Sequence, residues 1–479
     1  MATVSVDHLS FSYTTGDEPS KPTLTDLSIS FVSGGFTLLT GPSGSGKSTL
    51  LKLIAGLYPA FSGKVTAGHI TLNDQLLSEI SPTKRSQLVA MMFQNPNQQF
   101  AMDTVENELV FALENQQLPP VDIMPRIDRA LAYLEITDLR DRVISTLSGG
   151  EKQKVALAVI VAMDTDTILL DEPFASVDPD ARQLLLGKLA RLQREDHKTI
   201  ILADHDLEDY GNYIDQMVVI NTAGTALTPL SAQEKDQRLA SFSRSKTDEV
   251  RFALPDKKTP PAIQLTDLKL TAGTRTLLNQ PSFVFYRDHV TLLTGPNGVG
   301  KSTLLTAIAK LHDYSGSIIV DQTEVRKSRK RIFYQELGLV FQDAEEQFLN
   351  VTVEEELALS TKNSRNADYF SAKLPDFLKQ LRLDGLNDHV VYALSGGQKK
   401  KLQILEMLMM GTPILLFDEP FTGLDFTSLQ QVLSLMQHVA HDCHQTYVIV
   451  SHQLYGIADL IDYHVKLKNQ QLTYSEVLA

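Results

Sequence analysis

Two glycine-rich segments have the residue types and spacing that bind the phosphates of a nucleotide. GPSGSGKS (residues 41–48) and GPNGVGKS (residues 295–302) each follow a short apolar run and lead into a helical pattern. Their glycines let backbone N–H groups turn onto phosphate oxygens, and the following helix presents its positive end. The lysine can reach the β and γ phosphates, and the next serine can ligate Mg²⁺. The predicted phosphate-binding residues are Gly41, Ser43, Gly44, Gly46, Lys47, Ser48 and Thr49 in the first segment, and Gly295, Asn297, Gly298, Gly300, Lys301, Ser302 and Thr303 in the second.

A pair of adjacent carboxylates follows each phosphate loop, at the end of an apolar run. They are Asp171-Glu172 and Asp418-Glu419, and each pair is followed by proline. We expect Asp171 and Asp418 to hold Mg²⁺ through water, and Glu172 and Glu419 to orient an attacking water. A polar turn after a strand is the alternative interpretation. The occurrence of the pair behind a phosphate loop in both halves favours nucleotide hydrolysis.

These motifs belong to an internal repeat. Ser148 and Ser395 are separated by 247 residues, and so are Asp171 and Asp418. The repeat predicts two domains, at residues 1–235 and 262–479, joined by a polar linker at residues 236–261. Short apolar runs alternate with longer amphipathic stretches in both halves. This alternation predicts an α/β fold in each half, with a mostly parallel sheet flanked by helices.

The bulk composition limits the possible partners and compartment. A formal net charge of −14 argues against a surface that neutralises a nucleic acid backbone, so we expect no nucleic acid partner. The only cysteine, Cys443, cannot form an internal disulfide, which is typical of a reducing, cytoplasmic compartment. No apolar run approaches the roughly 18 residues of a membrane span. We therefore expect any work at a membrane to depend on a partner.

A third pair of motifs resembles the signature of a known protein family. LSGGEK (residues 147–152) and LSGGQK (residues 394–399) precede the acidic strands, and they resemble the signature of the ABC ATPase family. The resemblance implies ATP hydrolysis with Mg²⁺, and it implies an antiparallel β part and a helical signature subdomain in each half. It also implies that the halves pair head to tail, so that each signature covers the γ-phosphate held by the other half. The signature residues are Ser148, Gly149, Gly150, Ser395, Gly396 and Gly397.

The remaining family positions are filled in both halves. Gln94 and Gln342 match the glutamine that contacts Mg²⁺ and the attacking water, and His205 and His452 match the switch histidine that contacts the γ-phosphate. Asp178 and Asp425 match the dimer-contact loop of the family. The first half departs mildly from the family pattern at two places: Ser176 and Val177 in this loop, and Glu151 in the signature motif, where glutamine is usual.

The two halves differ at the position that stacks on adenine. Tyr13 matches the family's aromatic residue, whereas a register that aligns Val4 with Ile263 puts Ala272 at this position in the second half. Arg275, nearby, could stack in place of a ring. The sequence therefore predicts unequal nucleotide affinities.

A second group of residues could suggest a soft metal site. His441, Cys443 and His444 lie close together before an apolar run. A solvated helix end is the interpretation that we favour.

The glutamine-loop sequences FQNPNQQF and FQDAEEQF resemble those of energy-coupling factor importers. The resemblance implies a transmembrane scaffold subunit, a separate substrate-binding membrane subunit, and a location at the cytoplasmic face of the membrane. The implied cargo is a vitamin, a vitamin precursor or a transition-metal ion. A soluble tandem ATPase that acts on ribosomes or DNA, or the ATPase of another importer class, is the alternative.

Overall fold

The computed structural model describes residues 3–15, 18–19, 22–174, 177, 179–243, 250–256, 258–273, 275–451 and 456–477. The chain divides into two compact units, Met1–Ser245 and Lys246–Ala479. Among the helices described, none has both the length and the apolar character that a membrane crossing needs.

The first unit alternates strands and helices along the chain. Its strands are β1 (Val4–Ser12), β2 (Thr14–Thr15), β3 (Glu18–Pro19), β4 (Leu24–Phe31), β5 (Phe36–Thr40), β6 (Lys64–Leu72), β7 (Gln75–Leu76), β8 (Val89–Met92), β9 (Thr167–Asp171), β10 (Thr199–Ala203), β11 (Gln216–Ile220) and β12 (Leu227–Pro229). Its helices are α1 (Lys47–Ile54), α2 (Pro82–Leu88), α3 (Val105–Asn115), α4 (Pro120–Tyr133), α5 (Gly149–Met163), α6 (Pro179–Glu195) and α7 (Ala232–Ser243).

The second unit repeats this plan. Its strands are β13 (Pro261–Ala272), β14 (Arg275–Tyr286), β15 (Val290–Thr294), β16 (Ser315–Val320), β17 (Thr323–Glu324), β18 (Leu337–Val340), β19 (Ile414–Asp418), β20 (Thr446–Val450), β21 (Tyr463–Lys468) and β22 (Gln471–Tyr474). Its helices are α8 (Lys301–Ile308), α9 (Lys330–Glu336), α10 (Val353–Asn363), α11 (Ala367–Leu381), α12 (Gly396–Met409) and α13 (Phe426–Cys443).

Each unit contains one core sheet and one four-stranded antiparallel sheet, and the first unit also contains the two-stranded antiparallel sheet β2-β3. The core sheets have the orders β12-β11-β5-β10-β9-β8 and β18-β19-β20-β15-β21-β22 and are parallel except at β12 and β22. The antiparallel sheets have the orders β4-β1-β6-β7 and β14-β13-β16-β17. The central strands β5, β9 and β10 are buried at every residue, as expected for parallel strands covered on both faces. The predicted fold class is confirmed.

The antiparallel sheets support the alignment of Val4 with Ile263. Val4 lies opposite Phe31 and Leu72, and Ile263 lies opposite Phe285 and Val320 on the equivalent strands.

Two layers of packing position the functional loops in the first unit. The face of its core sheet that carries Leu39 and Leu169 packs with α1 and the antiparallel sheet. The other face carries Leu38 and Leu170 and packs with the helical layer of α3, α4 and α5. The phosphate loop and the signature helix are therefore attached to opposite faces of one sheet.

The stretch predicted as a linker, residues 236–261, contains regular structure at both ends. It includes most of α7, and its Phe252 is buried in the core of the second unit, where the Phe252 N–H donates to the Glu476 carbonyl at 2.8 Å. The boundaries given for the domains and the linker remain predictions.

Candidate active sites

The phosphate loop of the first unit lies between β5 and α1. Gly46 adopts a left-handed conformation (φ 96°) immediately before the helix. A Cβ atom on Gly41 would lie 2.5 Å from the carbonyl oxygen of Ile220, so only glycine fits there. The buried Lys47 folds back over the loop, and its Nζ donates to the carbonyls of Gly41 (2.8 Å) and Pro42 (3.1 Å).

The second phosphate loop has the same geometry. Gly300 has φ 105°, and a Cβ atom on Gly295 would lie 2.5 Å from the carbonyl oxygen of Leu467. Lys301 Nζ donates to the carbonyls of Gly295 (2.7 Å) and Pro296 (3.0 Å). Both loops thus place a buried ammonium group where phosphates are expected.

The serine that follows each lysine contacts the first carboxylate of the acidic pair. Ser48 Oγ donates to Asp171 Oδ1 at 2.9 Å, and Ser302 Oγ donates to Asp418 Oδ1 at 3.0 Å. Burial, followed by the nearby Glu172 charge, raises the pKa of Asp171 to about 7, and burial also raises the pKa of Asp418. A buried carboxylate beside a hydroxyl is a suitable oxygen donor set for Mg²⁺, and a divalent cation would offset the cost of its charge. The residues present therefore fit the predicted metal.

Both glutamates of the acidic pairs adopt an unusual backbone conformation. Glu172 and Glu419 have φ values of 46° and 48°, in the left-handed region that non-glycine residues rarely occupy. Their N–H groups donate to the Ala203 carbonyl (2.8 Å) and the Val450 carbonyl (2.9 Å) of the neighbouring strands. A conformation that costs free energy yet occurs at both equivalent positions indicates a functional constraint on these side chains.

The first unit brings the predicted catalytic side chains together. Gln94 Nε2 donates to Glu172 Oε2 at 2.7 Å, and His205 Nδ1 lies 3.3 Å from Glu172 Oε1. Burial alone would raise the pKa of Glu172, but the charges of His205 and Lys47 and the hydrogen bonds leave it lowered. Burial alone would lower the pKa of His205, but Glu172 and the acidic residues beside the histidine raise it to about 9. Glu172 and His205 therefore form a buried ion pair.

Behind His205 lies a buried charged network that the sequence analysis missed. The buried Arg182 pairs with Asp206 and lies 3.6 Å from Asp204 Oδ2, which also accepts a hydrogen bond from Tyr210 Oη at 2.6 Å. The other Asp204 oxygen accepts from the backbone N–H of His205 at 2.7 Å. This Asp204 network holds the backbone of the histidine loop. An alignment of the two halves could have indicated this network, because its charged residues have uncharged counterparts in the second half.

In the second unit, a buried lysine holds the glutamine loop, and the sequence analysis missed this residue too. Lys400 Nζ donates to the Gln342 carbonyl (2.7 Å), the Phe341 carbonyl (3.3 Å) and Gln403 Oε1 (3.1 Å). Burial lowers the pKa of Lys400 to about 8, against the opposing effect of nearby carboxylates that include Glu419. The equivalent residue in the first half is Gln153. The predicted His452 lies outside the described residues, as do Asp178 and Ser176.

The signature motifs begin helices with the same N-terminal cap. Ser148 Oγ accepts from the Glu151 N–H and Glu151 Oε2 accepts from the Ser148 N–H, which is a capping box. Ser395 and Gln398 form the equivalent box at α12. Because glutamate and glutamine both complete this box, the departure at Glu151 is compatible with the same helix start. The pairing of each signature with the other half remains a prediction.

The aromatic residue predicted for adenine lies beside the first phosphate loop. Tyr13 Oη shares a 2.9 Å hydrogen bond with Thr49 Oγ1, and its ring packs edge-on against Phe11 and Tyr58. Ala272 is exposed at the end of β13 and offers no ring.

A family model described as "ABC transporter" matches residues 24–175 and 278–422. A Bacillus subtilis protein named "Putative HMP/thiamine import ATP-binding protein" is 33% identical and covers 91% of this chain and 84% of its own length. A Treponema denticola protein named "Putative ABC transporter ATP-binding protein" is 30% identical, with coverage of 94% and 92%. An archaeal ribosome recycling factor, solved in complex with a ribosomal stalk protein, superimposes with a TM-score of 0.62 at 20% identity, covering 97% of this chain and 89% of its own; this likeness shows the fold alone.

Proposed function

The chain belongs to the ABC transporter family and is an ABC-type ATPase, and from this premise we propose that it drives an importer of the energy-coupling factor type. In this proposal the cargo is a vitamin, a vitamin precursor or a transition-metal ion, and it passes through partner membrane subunits. The chain works at the cytoplasmic face of the membrane, bound to a transmembrane scaffold subunit that also holds a substrate-binding subunit.

In the proposed reaction the lysines neutralise the transferred phosphate. When ATP binds, the Lys47 and Lys301 ammonium groups donate hydrogen bonds to its β and γ phosphates in place of the loop carbonyls. Ser48 with Asp171, and Ser302 with Asp418, would hold Mg²⁺ together with Gln94 and Gln342, and the ion would supply charge to the phosphate oxygens. All of these groups act through position and charge, as phosphoryl transfer requires.

The glutamates act on the attacking water. Glu172 is deprotonated because His205 stabilises its charge, so its oxygen can accept a proton from water. Gln94 fixes the other Glu172 oxygen and thereby the direction of attack. Protonated His205 is then available to contact the γ-phosphate. We assign the equivalent roles in the second half to Glu419, Gln342 and His452.

We further propose that the halves pair head to tail. In that arrangement the signature residues Ser395 and Gly397 cover the γ-phosphate at the first phosphate loop, and Ser148 and Gly150 cover the second. The two helix starts with their equivalent capping boxes support equal roles for both signatures.

The observation that carries the transport assignment is an exposed apolar patch beside the second glutamine loop. We call Leu349, Val351, Val390 and Tyr392 the glutamine-loop patch. Leu349 is 79% exposed and Tyr392 is 49% exposed, and the Val391 N–H donates to the Val351 carbonyl, so the two segments lie side by side. A contiguous apolar surface of this kind marks a contact with another protein. It supports docking of a cytoplasmic helix of the scaffold subunit.

The patch is held on a rigid base. The buried Glu356 carboxylate accepts hydrogen bonds from the backbone N–H groups of Leu349 and Asn350. Leu349 and Gln342 lie in one continuous loop, so a helix that presses on Leu349 would act on the segment that carries Gln342. This linkage supports coupling between the membrane subunits and hydrolysis.

The relatives support import as the direction of transport. The printed name of the Bacillus subtilis relative refers to import of HMP or thiamine. A vitamin or its precursor is consistent with that name.

The test is a double substitution, Leu349→Glu with Tyr392→Glu, made in the full chain. Affinity purification from detergent-solubilised native membranes, with mass spectrometry, should recover integral membrane subunits with the unchanged chain but not with the variant. ATP binding should be unchanged. Leu184→Glu, which places a charge at another exposed apolar residue, is the matched control and should retain the subunits. Recovery of the same subunits with the double variant would contradict the docking surface, and recovery of ribosomal proteins instead would contradict the importer.

A further inference from the structure

The second unit carries a dense basic segment on an acidic chain. Residues 326–331 contain Arg326, Lys327, Arg329, Lys330 and Arg331, and all five are exposed. The whole chain has a formal net charge of −14. We call these five residues the basic segment. The basic segment is therefore strongly positive, whereas the chain as a whole is negative.

The basic segment is part of a folded surface. On either side of it, Val325 and Phe333 are buried in the core. Lys310 Nζ donates to the Ser328 carbonyl at 2.7 Å, and the Arg326 guanidinium lies 4.1 Å from the centre of the Tyr314 ring. The backbone that carries the cations is therefore part of the folded surface, and Arg326 is also held against a ring.

Their charges are not neutralised within the described part of the chain. None of the five residues forms an ion pair there, although acidic residues lie close in sequence. Glu336 pairs with Arg365 instead, and the Glu324 carboxylate accepts hydrogen bonds from Ser317 and Tyr314. The segment is thus free to attract an external anion.

Exposed apolar side chains accompany the cations. Ile332 is 56% exposed and Tyr334 is 38% exposed on α9, which begins within the basic segment. Leu311 is 55% exposed and follows Lys310, the residue that is tied to the segment. The surface therefore combines positive charge with aliphatic and aromatic groups.

The first unit shows that the fold does not need these cations. Alignment of β8 with β18 places the basic segment opposite Ser78, Glu79, Ser81, Pro82 and Thr83. There the helix α2 forms from Pro82 to Leu88, as α9 does from Lys330 to Glu336. The five cations are therefore a feature of the second unit alone.

We propose that the basic segment, together with Leu311, Ile332 and Tyr334, binds the anionic headgroups of a phospholipid surface. Each cation gains attraction within a Debye length of about 8–10 Å, and the apolar side chains can enter the headgroup region. A nucleic acid is the other polyanion that could be attracted. Leu311 and Ile332 favour lipid, because aliphatic groups have no stacking role on a base.

This contact goes beyond the proposed function, which requires only the scaffold subunit. It adds a direct membrane contact to the association through a partner that the sequence predicts. α9 leads through the four residues of β18 to the glutamine loop, a distance of about 13 Å along the strand. A lipid contact at α9 would therefore help to orient the second glutamine loop towards the membrane.

The test uses the full chain and vesicles without any membrane subunit, so its result does not depend on the proposed importer. Sedimentation should show binding to phosphatidylcholine vesicles that contain phosphatidylglycerol, weaker binding at high salt, and little binding to phosphatidylcholine alone. The variant with Arg326→Ser, Lys327→Gln, Arg329→Ser, Lys330→Gln and Arg331→Thr should lose at least about tenfold in partition, since one cation near an anionic surface contributes up to about fivefold. Leu311→Ser with Ile332→Ser should lose severalfold, and the basal ATPase rate of both variants should be unchanged.

A control variant removes the same number of charges from scattered exposed positions. It carries glutamine at each of the exposed residues Lys64, Arg129, Lys269, Lys373 and Lys379, and it should bind vesicles as the unchanged chain does. An equal loss in this control would show that net charge alone acts and would overturn the proposal. Equal binding to both kinds of vesicle, or no binding to either, would also overturn the proposal. The proposal would likewise be overturned if the chain bound a DNA duplex or an RNA oligonucleotide more tightly than vesicles and the five-residue variant lost that binding.

Discussion

The two active sites have the same reacting groups but different supports behind them. In the first unit, the Asp204 network of Arg182, Asp204, Asp206 and Tyr210 holds the histidine loop. The residues 247 positions later include Leu429, Ser451 and Ile457, which are buried and uncharged. In the second unit the buried Lys400 holds the glutamine loop, where the first unit has Gln153. The repeat therefore keeps the residues predicted to contact the nucleotide and differs in the residues that hold them.

This difference predicts that the two sites respond to different substitutions. A buried charge that has its partners is tolerated, but removal of one partner leaves the others unpaired at a high cost. The structure of the first site should depend on Arg182, and that of the second site on Lys400. Substitutions at the reacting groups should affect the two sites equally.

The largest effect is expected for the catalytic glutamates, where the comparison predicts equality. Glu172→Gln and Glu419→Gln each remove the proposed base that orients water, so each should reduce hydrolysis at its own site by about 10²–10⁴-fold. Single-turnover hydrolysis should leave one nucleotide trapped and one hydrolysable in each chain. Under the proposed head-to-tail pairing, steady-state rates should fall for both variants, because the paired halves must reopen. If one variant behaved as the unchanged chain and the other formed no product, one site would serve structure only.

The Asp204 network should be the most sensitive support. Arg182→Leu alone leaves Asp204 and Asp206 without their cation and should lower the free energy of unfolding by about 3–5 kcal/mol. The combined change Arg182→Leu, Asp204→Ser, Asp206→Gln and Tyr210→Ile installs the residues of the second half and should cost less than the single change. Urea denaturation followed by circular dichroism measures both.

The control for this prediction is Arg191→Leu, which removes an exposed pair with Glu195. It should cost less than about 1 kcal/mol. A combined variant that is less stable than Arg182→Leu would show that the network has no uncharged substitute in the first unit.

The buried histidine of the first site should make stability depend on pH. Because the pKa of His205 is raised from 6.5 to about 9 in the folded chain, its stabilising contribution is complete below pH 6.5 and is lost as the pH rises through about 9. The loss should be on the order of 3 kcal/mol. Urea denaturation of the unchanged chain and of His205→Gln at a series of pH values isolates the contribution of this histidine. If the two chains showed the same slope between pH 6.5 and 9, the ion pair with Glu172 would not exist.

The sequence predicts the reacting groups well because their roles fix residue type and spacing together. The lysine at residue 47 is held by contacts within one loop, to the carbonyls of Gly41 and Pro42, so a local pattern is sufficient to find it. Arg182 and Lys400 act across the fold, on Asp206 and on the glutamine loop, and no local pattern marks them. Only an alignment of the two halves indicates that these positions differ. The same limitation applies to the linker, because the burial of Phe252 depends on partners that are distant in sequence.

Lys400 tests the other side of the comparison. Lys400→Gln keeps a donor for the glutamine-loop carbonyls but removes the charge beside Asp418 and Glu419, whereas Lys400→Met removes both. With the first site disabled by Lys47→Ala, we expect hydrolysis at the second site to fall by about tenfold in Lys400→Gln, which is about 1.4 kcal/mol. Lys400→Met should lose a further 1–3 kcal/mol or so of stability through the unsatisfied carbonyls. Equal behaviour of the two variants would assign the effect to charge alone.

A difference of similar size concerns the base of the nucleotide. Tyr13 lies beside Thr49 at the first site, while the exposed Ala272 is aligned with it in the second half. Stacking of a base on an aromatic ring contributes about 1–3 kcal/mol, or about 5- to 150-fold in dissociation constant, so the first site should bind ATP more tightly. Arg275 could stack in the second half and reduce the difference. The measurement is ATP binding to the unchanged chain, Tyr13→Ala, Ala272→Tyr and the double variant, each with the opposite site disabled at Lys47 or Lys301.

Tyr13→Phe separates the ring from the hydroxyl in this experiment. It keeps the aromatic face but removes the 2.9 Å hydrogen bond to Thr49, so it should bind ATP as the unchanged chain does if stacking is the cause. Tyr13→Ala should weaken the first site, and Ala272→Tyr should strengthen the second if the ring can reach the base. Equal affinities at the two sites, with no response to Tyr13→Ala, would show that the alignment of Val4 with Ile263 does not extend to the adenine position. In that case the difference between the two sites would be confined to the residues behind their loops.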